Sequence, residues 1–281
     1  MLKTRVLTAI VLVPLVLAAL FGFSPRNWAL VTLVAVCVAA GEWAMLADFR
    51  TPARWAYGAA AAAIGLALLL RPEFGFVDAS GWPAGVVVSI CGAATLFWIF
   101  IVPAWVLGRW QVRSAPILAL VGALVLVATW IALVQIQARS PGLLLALMAI
   151  VWIADTAAYF TGRRFGRHKL APSISPGKTW EGVYGAMFAV GVYALALLPL
   201  ATHSGYARVL SVGASVAWVA LVLCVAGLSI FGDLFESLLK RQRGVKDSGK
   251  VLPGHGGVLD RIDALTAAMP AAALVAHYLF R

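Results

Sequence analysis

Asp233, Asp260 and Asp263 are three carboxylates set around one polar segment, Ser237–Asp263, which reads SLLKRQRGVKDSGKVLPGHGGVLDRID. Three hard oxygen donors suit Mg2+, with waters and substrate phosphates completing the coordination. Asp260 and Asp263 are three residues apart and point to one side of a helix. Alone they would do no more than cap a helix start, so Asp233, across the segment, is what makes a set. Between them lies Pro253-Gly254-His255-Gly256-Gly257, whose glycines let backbone N–H groups come close to a phosphate. Lys240, Arg241, Lys246 and Lys250 surround that turn with positive charge. Glu236 has a simpler partner in Lys240, four residues on along a helix. For His255 a hydrogen-bonded loop anchor and a direct catalytic role both stay open.

A second constellation runs from Asp155 to Gly182, DTAAYFTGRRFGRHKLAPSISPGKTWEG. Asp155 stands inside an apolar stretch, where an acidic residue costs about 2.5–3.5 kcal/mol on insertion scales. That cost calls for a metal or other cation, or for an ion pair with Arg163 or Lys178. Tyr159 follows one turn later on the same face. Gly177-Lys178-Thr179 looks like the end of a phosphate-binding P-loop, but Pro172 stands where that motif needs its first glycine, and no strand is expected ahead of it. The expectation is a turn at Pro176-Gly177, with Thr179 capping the next helix. Ser175, Lys178, Thr179 and the N–H groups of that helix start then offer an anion site.

The elements that must hold these groups follow from composition. Hydrophobic residues make up 63% of the 281 and charged residues 12%, about half the charged share of a soluble domain. Too few polar residues remain to cover a water-facing exterior, so hydrocarbon surrounds most of the chain. Nine apolar stretches are each near the ~20 residues that cross a bilayer: Val6–Phe23, Trp28–Leu46, Trp55–Leu70, Ala84–Leu107, Ala115–Gln135, Gly142–Thr161, Trp180–Leu200, Val209–Phe231 and Ile262–Phe280. With nine spans, 17 of the 22 Lys and Arg fall on one side, and dropping the short third span blurs the split to 14 against 8. Positive residues mark the cytoplasmic side. The expected fold is therefore an all-α polytopic membrane protein with its amino terminus cytoplasmic and its carboxyl terminus outside.

The net charge of +11 is then mostly topology, which argues against nucleic acid as a partner and leaves an excess that favours anionic lipids and phosphate-bearing substrates. Cys37, Cys91 and Cys224 lie inside apolar stretches without metal or disulfide spacing and are read as packing residues. The first span is read as a retained anchor, since no small-residue cleavage site follows it. Polarity divides the chain: residues 1–150 are spans joined by sparsely charged loops, whereas 151–281 hold the long polar loops and seven of the 11 acidic residues. Function is expected in the second half.

Ser237-Leu238-Leu239-Lys240-Arg241, Lys246-Asp247-Ser248-Gly249, Pro253-Gly254-His255-Gly256-Gly257 and Asp260-Arg261-Ile262-Asp263, in that order and spacing, resemble the signature of the phosphatidate cytidylyltransferases. Asp155, Tyr159, Gly162-Arg163 and Ser175-Pro176-Gly177-Lys178-Thr179 resemble a second region of that family. The resemblance implies transfer of a cytidylyl group from CTP to phosphatidate, giving CDP-diacylglycerol and pyrophosphate. It further implies one or two Mg2+ ions, a homodimer, and a place in a bacterial-type inner membrane with the site facing the cytoplasm. Catalytic roles fall to Lys246, His255, Asp260 and Asp263, and substrate binding to Ser175, Lys178, Thr179, Lys240, Arg241, Gly256 and Gly257. Metal binding falls to Asp233, Asp260 and Asp263, with Asp155 as a further candidate. Two other readings are kept. One is a CTP-dependent kinase of a polyprenyl or other lipid alcohol. The other is an ion-coupled secondary transporter using Asp155, which the absence of a mirrored second half disfavours.

The charge split yields a topology test. A reporter active only outside the cytoplasm is expected to be active when fused after Arg281 and silent after Lys250; the reverse pattern overturns the nine-span orientation.

Overall fold

The structure is a computed structural model that describes residues 2–70, 80–203 and 212–279. In them the chain forms nine helices: α1 Leu2–Gly22, α2 Pro25–Leu46, α3 Thr51–Leu70, α4 Ala84–Gly108, α5 Ala115–Arg139, α6 Pro141–Phe165, α7 Trp180–His203, α8 Val212–Gln242 and α9 Leu259–Leu279. Their order and positions follow the nine apolar stretches. Seven of them, α2 to α8, are long and apolar enough to cross a membrane.

Ser-Pro is a recurring helix start. Ser24 precedes Pro25 and accepts from the Asn27 N–H (3.4 Å); Ser140 precedes Pro141 and accepts from the Leu143 N–H (3.3 Å). Proline at the first helical position loses no hydrogen bond, and the serine oxygen satisfies one of the orphan N–H groups. α4 contains two wide turns, Val87–Cys91 and Phe97–Ile101. The second lies just ahead of Pro103, which has no N–H to give and crowds the preceding turn.

Short connections make neighbouring helices antiparallel, and hydrogen bonds at both ends of the bundle record it. At one end Arg243 Nε donates to the Leu46 carbonyl (2.7 Å) and its guanidinium pairs with Asp48 (2.9 Å). Gln242 donates there to Trp110 O (2.8 Å). At the other end Gln137 donates to Leu20 O and Phe23 O, and Arg139 to Ala276 O. The first set gathers the ends of α2, α4 and α8, and all the candidate site residues lie towards that end.

The last helix is the centre of the bundle. α9 packs on α8, α5, α4 and α6, and Ala264, Ala267, Ala268, Ala272 and Ala273 on it are buried. This explains why its sequence is alanine-rich rather than Leu- and Ile-rich: it faces other helices more than lipid, and small side chains let them approach. On α8, Phe235 is held by Trp43, Trp98 and Trp105, with ring centroids 6.3, 5.6 and 5.2 Å away. This aromatic contact fixes the rotation of α8, and with it the directions of Asp233 and Glu236.

The fold is all-α as expected, with one small addition: Lys169–Ala171 (β1) and Ser175–Thr179 (β2) pair as an antiparallel hairpin between α6 and α7. One local expectation needs correction. Pro176-Gly177 is accordingly not the turn. The turn is at residues 172–174, and Pro176 and Gly177 lie in β2. The register slips between Lys169 opposite Thr179 and Ala171 opposite Ser175, so Pro176, Gly177 and Lys178 together face Leu170. A proline without an N–H suits such a bulge and not a regular ladder.

α8 and α9 are in close contact at Gly232. A β-carbon there would lie 2.6 Å from Asp263 O and 3.0 Å from Ala264 Cα, both backbone. Gly232→Val is therefore expected to push the two helices apart and to destabilise the protein by about 1–3 kcal/mol. A lower thermal unfolding midpoint in detergent, with Gly227→Val as the control in open space, checks it; equal midpoints overturn the contact.

Candidate active site

α8 supplies the first layer of the site. Asp233, Glu236, Ser237 and Lys240 recur at three- and four-residue spacing and so occupy one stripe of the helix. Ser237 Oγ donates to Asp233 Oδ1 (3.1 Å), and Lys178 Nζ pairs with Asp233 Oδ2 (2.7 Å). The hairpin thus delivers Lys178 to α8. Of the ion pairs expected for Asp155, that with Lys178 is replaced by Lys178–Asp233, and Arg163 instead donates to the Tyr159 hydroxyl (2.9 Å).

Lys240 is the junction between α8 and α9. Its ammonium donates to Glu236 Oε2 (2.8 Å) and to Asp260 Oδ1 (2.7 Å), and the side chains of Glu236 and Asp260 are only 3% and 5% exposed. The pairing of Glu236 with Lys240 read from the sequence is present. Asp260 has more partners still: the Gly257 N–H (2.8 Å) and the Ser248 N–H (2.9 Å) also donate to it.

The glycine turn does cradle an anion, but that anion is the protein's own carboxylate. Leu252 and Gly256 form a β-bridge, and Gly254 and Gly256 have φ of 74° and 84°, a region that L side chains avoid. A β-carbon on Gly256 would lie 2.7 Å from Asp260 Oδ2. Gly256 and Gly257, expected to approach a phosphate, therefore approach Asp260. A His255 ring nitrogen lies 3.4 Å from the Pro253 carbonyl of its own turn.

Glu42, on α2, is the site residue that the sequence did not disclose. It is 7% exposed and accepts from the Val258 N–H (3.1 Å), the Leu259 N–H (2.7 Å) and Ser248 Oγ (3.5 Å). The first-turn N–H groups of α9 have no helical acceptor, and Glu42 provides one. A β-carbon on Gly257 would clash with its carboxylate. Its only sequence signal was a lone acidic residue in an apolar stretch, in the half where function was not expected.

Beside these carboxylates lies a cavity of about 550 Å3. Its wall runs from Asp155 and Tyr159 on α6, past Arg163, to Lys169, Ser175, Lys178 and Thr179 on the hairpin, and to Asp233 on α8. Thr179 also caps α7 as expected, accepting from the Gly182 N–H (3.2 Å). Arg241 does not line this cavity: it donates to Ile174 O (3.2 Å) and so ties the hairpin turn to α8. Lys246 is exposed on the loop after α8.

The expected metal set of Asp233, Asp260 and Asp263 does not converge. Among the described residues no three His, Cys, Asp or Glu side chains are placed to hold an ion together. Lys240 and two N–H groups already occupy Asp260. A smaller set fits a cation. Glu236 Oε1 is buried without a hydrogen-bond partner, and the Asp263 carboxyl is close enough to Glu236 for their charges to interact. Two hard carboxylates side by side match Mg2+, which takes one or two from the protein and the rest from water and phosphate.

A family model described as "Cytidylyltransferase family" matches residues 3–279. A Pseudomonas aeruginosa protein named phosphatidate cytidylyltransferase is 40% identical over 96% of this chain and 95% of its own length. A Haemophilus influenzae protein of the same name is 35% identical over 96% of both. A Thermotoga maritima protein, again of that name, is 43% identical over 47% of each chain.

Removing the Glu42 carboxylate leaves the buried Leu259 N–H and the part-buried Val258 N–H without this acceptor, at a cost of about 1–3 kcal/mol. In Glu42→Ala, amide hydrogen exchange at residues 248–259 is expected to quicken about tenfold or more, as that cost implies, while α5 stays protected. Unchanged exchange in the loop refutes the tie.

Proposed function

This chain belongs to the cytidylyltransferase family, and on that premise we propose that it transfers the cytidylyl group of CTP to phosphatidate, forming CDP-diacylglycerol and releasing pyrophosphate. The observation that carries this reading is the 550 Å3 cavity that extends from Asp155, within α6, to Lys178 and Lys169 at the end of the bundle. A lipid phosphate entering from the bilayer and a nucleotide entering from water can meet there at one depth.

A phosphate oxygen of phosphatidate attacks the α-phosphorus of CTP, and the bond to the β-phosphate breaks as pyrophosphate leaves. With a second pKa near ~6, a phosphate monoester is already anionic at neutral pH, so a strong general base is not required. The protein's task is positioning and neutralising charge. Lys178, Ser175 and Thr179 hold phosphate oxygens in the cavity, and Lys246 reaches the transferring group from the loop. Lys240 and Arg241 fix α8, the loop and the hairpin relative to one another, while Asp260, His255 and the glycines shape the loop. Asp263 and Glu236 would hold Mg2+, with Asp233 and Asp155 as the neighbouring carboxylates, and the ion would neutralise charge on the triphosphate.

The same reading includes nine spans, a cytoplasmic amino terminus, an inner-membrane location with the site on the cytoplasmic face, and a homodimer. The gathering of the ends of α2, α4 and α8 at the Arg-rich end of the bundle supports the orientation.

The test is purified protein with phosphatidate, Mg2+ and CTP labelled at the γ-phosphate. The label is expected in pyrophosphate; label on lipid favours the kinase reading. Asp263→Asn and Lys246→Gln are expected to lower the initial rate by ~10²–10³, the scale of one lost electrostatic contact to the transition state. Arg109→Gln, a topological charge, leaves it nearly intact. Equal rates for Lys246→Gln and Arg109→Gln return Lys246 to a topological role.

A further inference from the structure

A second and larger cavity, of about 920 Å3, opens between α2 and α3. Its surface is almost wholly apolar, and the reaction as described makes no use of it. Its polar residues are confined to one end, where Glu42, Thr51, Arg54 and Ser248 line it. That is the end of the bundle at which the catalytic loop is tied down, and Ser248 and Gly249 belong to that loop. Small residues make the room: Gly41 on α2 and Gly58, Ala59 and Ala62 on α3 face the cavity.

Its dimensions identify an occupant. The lining runs from Glu42 to Leu30 on α2 and from Arg54 to Leu66 on α3, which is about 18 Å along a helix axis at 1.5 Å per residue. One leaflet of a bilayer provides about 15 Å of hydrocarbon, half of the ~30 Å core. The groove is therefore as deep as one acyl chain of the leaflet on the side of the site. At its polar end Arg54 spends its Nε on the Phe49 carbonyl (2.7 Å), which fixes the guanidinium beside the mouth. Glu42 at the same end has its carboxylate taken by the Val258 and Leu259 N–H groups and Ser248 Oγ, so Arg54 is the charge left to meet a lipid with an anionic phosphate head, with hydrocarbon below.

We propose that this groove receives an acyl chain of the lipid substrate as it approaches from the bilayer, with the head group passing the mouth at Arg54 and Ser248 before it reaches the reaction cavity. The proposal rests on the reading of phosphatidate as substrate. A lipid must approach sideways, out of the bilayer, and this groove leads from the bilayer to the loop that carries Lys246 and Asp260. Ala59 and Ala62, one turn apart on α3, set its width. They are specificity-determining residues for chain length rather than catalytic ones.

The test compares Ala59→Phe and Ala62→Trp with the unaltered protein on dioleoyl- and dihexanoyl-phosphatidate. Filling the groove is expected to lower kcat/KM for the long-chain substrate by roughly 10-fold or more, the scale on which apolar pockets discriminate, while kcat/KM for the short-chain substrate stays close to its original value. An equal effect on both substrates, or none on either, overturns the proposal. A phosphatidate carrying a diazirine in its acyl chain supplies a readout independent of turnover. It is expected to label α2 and α3, with dioleoyl-phosphatidate competing better than dioleoyl-phosphatidylglycerol. Equal competition by the two lipids, or label confined to other helices, refutes the assignment. If the unaltered protein forms no CDP-lipid, the catalytic reading fails, and the labelling still decides the groove.

Discussion

The arrangement at the loaded end of the bundle depends on a single ammonium group. Glu236 and Asp260 approach each other from different helices, and both are nearly sealed from water. Lys240 bonds both, at 2.8 and 2.7 Å. Removing one partner of a buried ionic group leaves an uncompensated charge and typically costs about 3–5 kcal/mol. Lys240 therefore makes it possible for the acidic faces of α8 and α9 to lie together. Everything downstream, from the close approach at Gly232 to the fold of the glycine turn over Asp260, presumes that this charge is balanced.

The hydrophobic pattern discloses the helices well because hydrocarbon leaves backbone groups no other partner than their own helix. All nine stretches correspond to helices, and even the doubtful third one is helical from Thr51 to Leu70. The i, i+4 pair of Glu236 with Lys240 and the Thr179 cap were legible for the same reason, since both are local. The hairpin was not. It is five residues of β2 against three of β1, too short for a period-2 pattern, and its strongest marks, Pro176 and Gly177, are those of a turn.

The site itself was legible by composition and not by contact. Charge and glycine crowding pointed to the segment that folds over Asp260, but pairing between distant residues carries no sequence period. Nothing in Asp260 says that its partners are Lys240 and two N–H groups, or that the unpartnered oxygen belongs to Glu236, which had been accounted for by Lys240. Glu42 shows the limit most clearly. A single acidic residue in the polar-poor half looks like an exception to tolerate, whereas it holds the start of the central helix.

That hold has a consequence in time. Glu42 and the Leu259 N–H it accepts from are 217 residues apart in the chain. A ribosome makes ~5–20 residues per second, so the carboxylate of α2 is on the order of 10–40 s old before its acceptor role can begin. Throughout that interval the early helices stand in the membrane without their centre, because α9 follows all eight of them in the chain. Assembly of these helices thus proceeds from the outside inward: the central helix, made after the eight that surround it, must slide into a space its predecessors have kept.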